Sequence, residues 1–309
     1  MSSLAVANGE LYRDRAVILR TYKLRESDRI VVLLTQRFGK VRAVAKGVRR
    51  TNSKFGSRLE PMSHVEVLLR KGRDLDLVSQ AESVDGLTPM LSSLDRAAQG
   101  MAVVEAADQL SLEGEPDERL YAMLVGVLRT IGESPSPLNV AAFFWKVLAM
   151  SGLSPVLDGC VRCGEADGGE TALVAFDFNE GGALCRRCRS GISISPAALD
   201  IMRDILGGRL RQALALEESA ATSEVTALAT RALEHHIERR LRTVSVSLRT
   251  SLSRWAMMSV ACQVCPQPIS TKLSTCVSGV VLFTLRQRST ADFGRPTTTA
   301  RSGRCCCEM

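Results

Sequence analysis

The chain has 309 residues, of which 45% are hydrophobic and 24% charged. These are the proportions of a soluble globular protein with room for two or three units and a sizeable core. The net charge of +7 is unevenly spread: residues 1–80 carry +9, residues 81–244 carry −8 and residues 245–309 carry +6. A basic front on an acidic body points to an anion-binding module joined to a structural one. The opening MSSLAVANGE has no basic or long apolar region of a signal peptide, and the late run CVSGVVLFTL at 276–285 is about half the ~20 residues a membrane span needs. A cytoplasmic protein without a membrane partner is expected.

Up to about residue 83 the pattern predicts strands at Ala16–Tyr22, Arg29–Gln36, Val41–Lys46, His64–Arg70 and Leu75–Ala81, rich in Val, Ile and Leu and divided by polar or glycine-bearing turns. In the third, alternation puts Arg42, Val44 and Lys46 on one face. Five short strands in about eighty residues suit a small closed barrel, either an OB-fold or an SH3-like barrel.

After Gly86 the period becomes helical. Thr88-Pro89 opens a helix carrying Leu91, Leu94, Ala98, Met101 and Val104, and Pro116 opens a second with Leu120, Leu124, Val127, Leu128 and Ile131. Ser136-Pro137 opens a third with Val140, Phe143, Phe144, Val147 and Leu148. Another helix begins at Ser195-Pro196. The longest is expected from about Ser219 to Val244, with Val225, Ala229, Leu233, Ile237 and Leu241 on one stripe. Beyond it, Ser, Thr and Arg dominate without a sustained period.

Between the third and fourth helices lie Cys160-x2-Cys163 and Cys185-x2-Cys188, with 21 residues between the pairs. Two such turns can bring four thiolates to one tetrahedral ion, with Gly164 and Gly191 relaxing the backbone, a strand over Ala172–Phe178 and a turn at Glu180-Gly181-Gly182. A closed, structural Zn²⁺ site is expected; iron, a redox-active pair or four unrelated buried cysteines are the rival readings. Cys262-x2-Cys265 is a lone pair in a segment without an ordered pattern, and Cys276 and Cys305–Cys307 lack metal spacing. His235 and His236 are expected to pack or face solvent.

Three histidines leave little room for a nucleophilic triad, neither a Walker A loop nor a GxGxxG turn occurs, and an H-x-E such as His64-Val65-Glu66 has no P-C-x-x-C to complete a zinc-deaminase signature. Asp74 and Asp76 on one strand face could hold Mg²⁺, but in the charge-rich KGRDLD a solvated hairpin edge is the favoured reading. An enzyme is not expected.

The densest signal is GKVRAVAKGVRRTNSKFGSRLEP at 39–61, in which Lys40, Arg42, Lys46, Arg49, Arg50, Lys54 and Arg58 follow one another before any carboxylate. A basic strand and loop on a small barrel fits phosphate-led, salt-sensitive nucleic-acid binding. Of the aromatic residues Tyr12, Tyr22, Phe38 and Phe55, some must be buried, which limits stacking. A membrane surface or an acidic protein would suit the same charge, but no basic amphipathic helix accompanies it.

The run LYRDRAVILRTYKLRESDRIVVLLTQRFGKVRAVAKGVRRTNSKFGSRLEP, the helical body, the four-cysteine insert and the HHIERRLRTV segment together resemble the zinc-containing form of the RecO family of recombination mediators, over about residues 10–244. The resemblance implies an α+β chain with an N-terminal five-stranded OB-fold barrel. A helical bundle follows, with an inserted four-cysteine zinc element. The chain would divide into residues 1–83, 84–157, 158–193 and 194–244, followed by an atypical, poorly ordered tail at 245–309 that resembles no part of the family. It implies single- and double-stranded DNA as ligands, annealing of complementary strands, and RecR and single-strand binding protein as partners. RecA, and RecF, would be engaged indirectly, in DNA repair near the nucleoid. It maps DNA contacts onto the seven cations above and zinc onto Cys160, Cys163, Cys185 and Cys188. Where relatives continue the last helix, this pattern fails after Val244, as a shifted reading frame or an acquired tail would make it. A zinc-ribbon adaptor that binds only proteins, and a metal-dependent nuclease using Asp74 and Asp76, are the readings from other classes.

Overall fold

The computed structural model describes residues 9–50, 53, 55–85, 88–168 and 171–243. Strands β1 (Leu11–Lys23), β2 (Arg29–Thr35), β3 (Gly39–Ala45), β4 (His64–Arg70) and β5 (Asp76–Asp85) close into a barrel of order β1-β2-β3-β5-β4, β1 also pairing with β4. The β3–β5 pair is parallel, Ala43 opposite Asp76 and Val44 opposite Leu77. A parallel pair needs a crossover that a consecutive antiparallel meander lacks. This distinguishes the OB-fold from the SH3-like alternative.

Alternation fills the barrel. Ala16, Ile18, Val31, Leu33, Val41, Ala43, Val65, Val67 and Leu69 point inward, while Val17, Leu19, Val32 and Leu34 point outward into the core of the helical body. Both faces of β1 and β2 are therefore apolar over this stretch, as expected of strands buried on both sides. A short 3₁₀ turn, Gly56–Leu59, lies between β3 and β4, and Phe55 and Leu59 beside it are buried in the barrel core.

The body comprises α1 (Thr88–Leu91), α2 (Leu94–Leu110), α3 (Glu118–Glu133), α4 (Asn139–Met150), α5 (Pro196–Leu206), α6 (Leu210–Leu214) and α7 (Ala220–His236). Local chemistry sets the starts. The side chains of Ser93, Asp117 and Ser195 accept backbone N–H groups of α2, α3 and α5, and Ser219 forms a reciprocal box with Thr222. The helix expected to run from Thr88 divides because Ser93 caps a new one, which leaves Leu91 and Leu94 exposed instead of on the buried stripe. The last helix stops at His236, short of Val244. Beyond it Leu241 N–H donates to Glu234, and Arg242 and Thr243 donate to Glu105 of α2.

The cysteine insert contains β6 (Leu173–Asp177), β7 (Gly182–Cys185) and β8 (Ile192–Ser193) in a sheet of order β7-β6-β8. Phe176 of β6 meets Trp145 of α4 edge-on at 5.9 Å, which joins the insert to the body. The expectations for the tail at 245–309 and its cysteines lie outside the described residues.

Candidate nucleic-acid interface and metal centre

The outer face of β1–β2–β3 is divided by the helical body. The register lines up three rows: Val17–Leu34–Lys40, Arg20–Val32–Arg42 and Tyr22–Ile30–Val44. The first row is covered, with Val17 and Leu34 fully buried. Its cation, Lys40, donates to the Asp108 backbone carbonyl at 2.7 Å and to the Asp108 carboxylate at 3.4 Å. The third row is open, Tyr22 being 43% exposed.

The cations that follow β3 lie towards this open end. Lys46, Arg49 and Arg50 are exposed, and their loop is laced to the β1–β2 turn. Arg49 N–H donates to the Ser27 carbonyl, and its guanidinium donates to the Glu26 carbonyl at 2.9 Å. Gly47 N–H donates to Asp28 at 2.8 Å. That backbone bond, outweighing the cost of desolvation and aided by Ser27, Arg25 and Lys46, holds the Asp28 carboxyl below the usual range. Two loops that would wander separately thus form one cationic ledge. Arg42 stands between the covered and open ends, 3.8 Å from Glu113. Arg58 is exposed on the 3₁₀ turn. Lys54 lies outside the described residues.

Asp74 and Asp76 have separate roles. Asp76 is buried, accepting from Gly72 N–H and the Tyr12 hydroxyl, whereas Asp74 is exposed in the preceding loop. Burial and that contact with Asp76 push the Tyr12 hydroxyl up from its ordinary pKa. Among the described residues, the one group of three or more His, Cys, Asp or Glu side chains placed for a metal is Cys160, Cys163, Cys185 and Cys188.

Those four sulfurs lie within 4.8 Å of one another, Cys163 and Cys185 at 3.8 Å. Four thiolates at about 2.3 Å from one tetrahedral ion are about 3.8 Å apart, so the cluster fits zinc. Left alone, it is electrostatically divided. Burial raises Cys160, yet the N–H groups of Cys185, Cys163 and Arg162 hold it down to about 6. Burial and neighbouring thiols push Cys188 up to about 12. A divalent cation removes this conflict, because each thiolate then faces opposite charge. Gly164 takes φ +75°, and a Cβ on Gly191 (φ +77°) would meet the Phe176 carbonyl oxygen at 2.3 Å. His235 stacks on Phe178 and pairs with Asn179.

Two features were not read from the sequence. His64 is buried between Asp85 (2.5 Å) and the Tyr121 hydroxyl (2.9 Å), joining β4, β5 and α3, and burial pushes Tyr121 up to about 12. Tyr22 and Arg20 reach the outer face because the register shifts between Ile18 and Arg20. Only a bulge reverses strand parity in this way, and no local sequence pattern marks this one.

The family model described as "Recombination protein O N terminal" matches residues 10–87, and "Recombination protein O C terminal" matches residues 91–245. The chain belongs to the recombination protein O family. A family member is a DNA repair and recombination mediator, working with DNA and with other repair proteins. The N-terminal match coincides with the barrel that carries the ledge, and the C-terminal match contains the helical body from α2 onward and the cysteine cluster. Among the described residues, no helix is long and apolar enough to cross a membrane.

Proposed function

We propose that this chain is a non-catalytic mediator that binds single- and double-stranded DNA at the open end of the barrel face and anneals complementary strands. With RecR it would help to load RecA onto DNA coated with single-strand binding protein, in the cytoplasm at the nucleoid, with RecF as a further partner. The observation that carries this reading is the exposed ledge of Lys46, Arg49 and Arg50, held to the β1–β2 turn beside an uncovered strand face. OB-folds use strands 2–3 and the flanking loops for oligonucleotides, and here the helical body covers only one end of that surface. Phosphates would meet Arg42, Lys46, Arg49 and Arg50, with Lys54 and Arg58 extending the path. Lys40 would act on the DNA indirectly, by docking β3 against α2.

The ion at the four cysteines is proposed to be Zn²⁺. With its sphere closed by four thiolates it would stabilise the insert, leaving no open position to activate water.

The test is annealing of complementary oligonucleotides by the full chain. Reversal of Lys46, Arg49 and Arg50 to Glu should abolish the acceleration while the melting temperature stays unchanged. An unchanged rate would refute the assignment of the ledge, and binding of repair proteins without DNA would favour the adaptor reading.

A further inference from the structure

The open row of the barrel face is not cationic. Tyr22, Ile30 and Val44 are register partners across β1, β2 and β3, and Val44 is in turn opposite Leu77 of β5. Strands ~4.8 Å apart make this apolar strip about 14 Å wide. Ile30, Val44 and Leu77 are partly exposed, and Tyr22 is the exposed aromatic residue of the described barrel. Tyr12 and Phe55 are buried, and Phe38 is partly buried against Tyr12.

Tyr22 is also held. The Arg20 guanidinium lies over its ring at 5.3 Å, and Arg20 Nε is fixed by Asp108 of α2 at 2.8 Å. A cation over a tyrosine ring is attractive and restricts the ring's motion. Asp108 is the same carboxylate that takes Lys40, so the helix that covers one end of the face orients the aromatic group at the other. Along the strands, the strip is flanked by Arg20 and Arg42 on one side and by Lys46 on the other.

An apolar strip bearing one oriented aromatic ring, between cations, matches a polyanion whose bases are unpaired. Phosphates pair with the flanking charges, and a base lies on the ring, which accepts any base because each has a π-face. A duplex keeps its base faces stacked inside and can offer only phosphates. We propose that Tyr22 is a base-stacking platform that makes this face prefer single-stranded over duplex DNA. The inference rests on the DNA-binding reading above and adds the part of the ligand recognised.

The experiment is fluorescence anisotropy of the full chain with an oligothymidine, an abasic strand of equal length and a duplex. Wild type should bind the oligothymidine more tightly than the abasic strand. Tyr22→Ala should weaken oligothymidine binding about tenfold, the scale of one base stacked on an aromatic ring. It should leave the abasic strand and duplex within about twofold of wild type, since the phosphate contacts remain. Tyr22→Phe should bind as wild type does, which separates a stacking role from a misfolded variant. If Tyr22→Ala binds all three ligands as wild type does, or loses all three equally, the platform is refuted. Failure of wild type to bind any of the three would refute the DNA reading itself, a result distinguishable from either.

Discussion

Lys40 of β3 and Asp108 of α2 form a nearly buried pair, the lysine side chain 13% and the aspartate 4% exposed. The same carboxylate accepts Arg20 Nε at 2.8 Å. One acidic residue of the body thus neutralises two cations of the barrel. Removing it leaves the nearly buried ammonium without a counter-charge, held only by the Asp108 backbone carbonyl, which costs more than the intact pair contributes.

Asp108→Ala should therefore destabilise the protein by about 3 kcal/mol in urea unfolding. Lys40→Met leaves Asp108 paired with Arg20 and should cost less, while changing DNA affinity by less than about twofold. A large loss of affinity with unchanged stability would instead put Lys40 among the phosphate contacts.

Gly39, which precedes Lys40, has φ +70°, and a Cβ there would lie 2.1 Å from the Glu115 carbonyl oxygen. Lys40 exchanges backbone hydrogen bonds with Leu112 and Gly114 of the same body loop. Gly39→Ala should cost at least about 2 kcal/mol, from left-handed strain and a clash with backbone. A variant with the wild-type melting temperature would show that this loop can withdraw from the barrel freely.

The full chain should contain one zinc, measured by elemental analysis, and lose it on Cys160→Ser. The insert should then open first, seen as faster amide exchange over Leu173–Cys185, because binding to such a site is itself folding free energy. Iron, or a metal-free chain with the insert protected, would contradict the zinc assignment.

Asp167 supplies a pH dependence. Arg203 of α5, donating at 2.7 Å, and Leu173 N–H hold its carboxyl below the usual range despite the cost of desolvation. The unfolded chain binds this proton more readily, with a carboxyl near its ordinary value of about 3.9. The stabilisation is therefore present above that value and lost as pH falls through the depressed one. Asp167→Asn should lower stability at neutral pH and flatten its decline below about pH 4. An identical acid limb in the variant would remove Asp167 from the acid response.

Much of this arrangement is legible in the chain itself. Alternation in Val41–Lys46 places Arg42, Val44 and Lys46 on the outer face, and the two CxxC pairs announce a cluster that folds together as expected. Partnership is less legible. Lys40 and Asp108 are 68 positions apart in the chain, and nothing near Lys40 distinguishes it from Lys46, although one is docked and the other exposed. Strict alternation from Ala16 and Ile18 would put Tyr22 inside the barrel. The bulge turns it outward, and a bulge is fixed by tertiary pairing more than by local composition. Leu91 and Leu94 fit a helical stripe by spacing, yet Ser93 offers a cap that restarts the helix between them.

The most direct test of the central claim is anisotropy of a labelled single-stranded oligonucleotide against the full chain across a salt series. If Arg42, Lys46, Arg49 and Arg50 each neutralise a phosphate, the log–log slope should be about −3, at roughly −0.7 per contact. Reversal of Lys46, Arg49 and Arg50 leaves Arg42 alone of the four and should bring it to about −0.7 or nearer zero. Absence of binding at low salt, or a slope that the reversal leaves unchanged, would contradict the account of the ledge as the phosphate-binding surface.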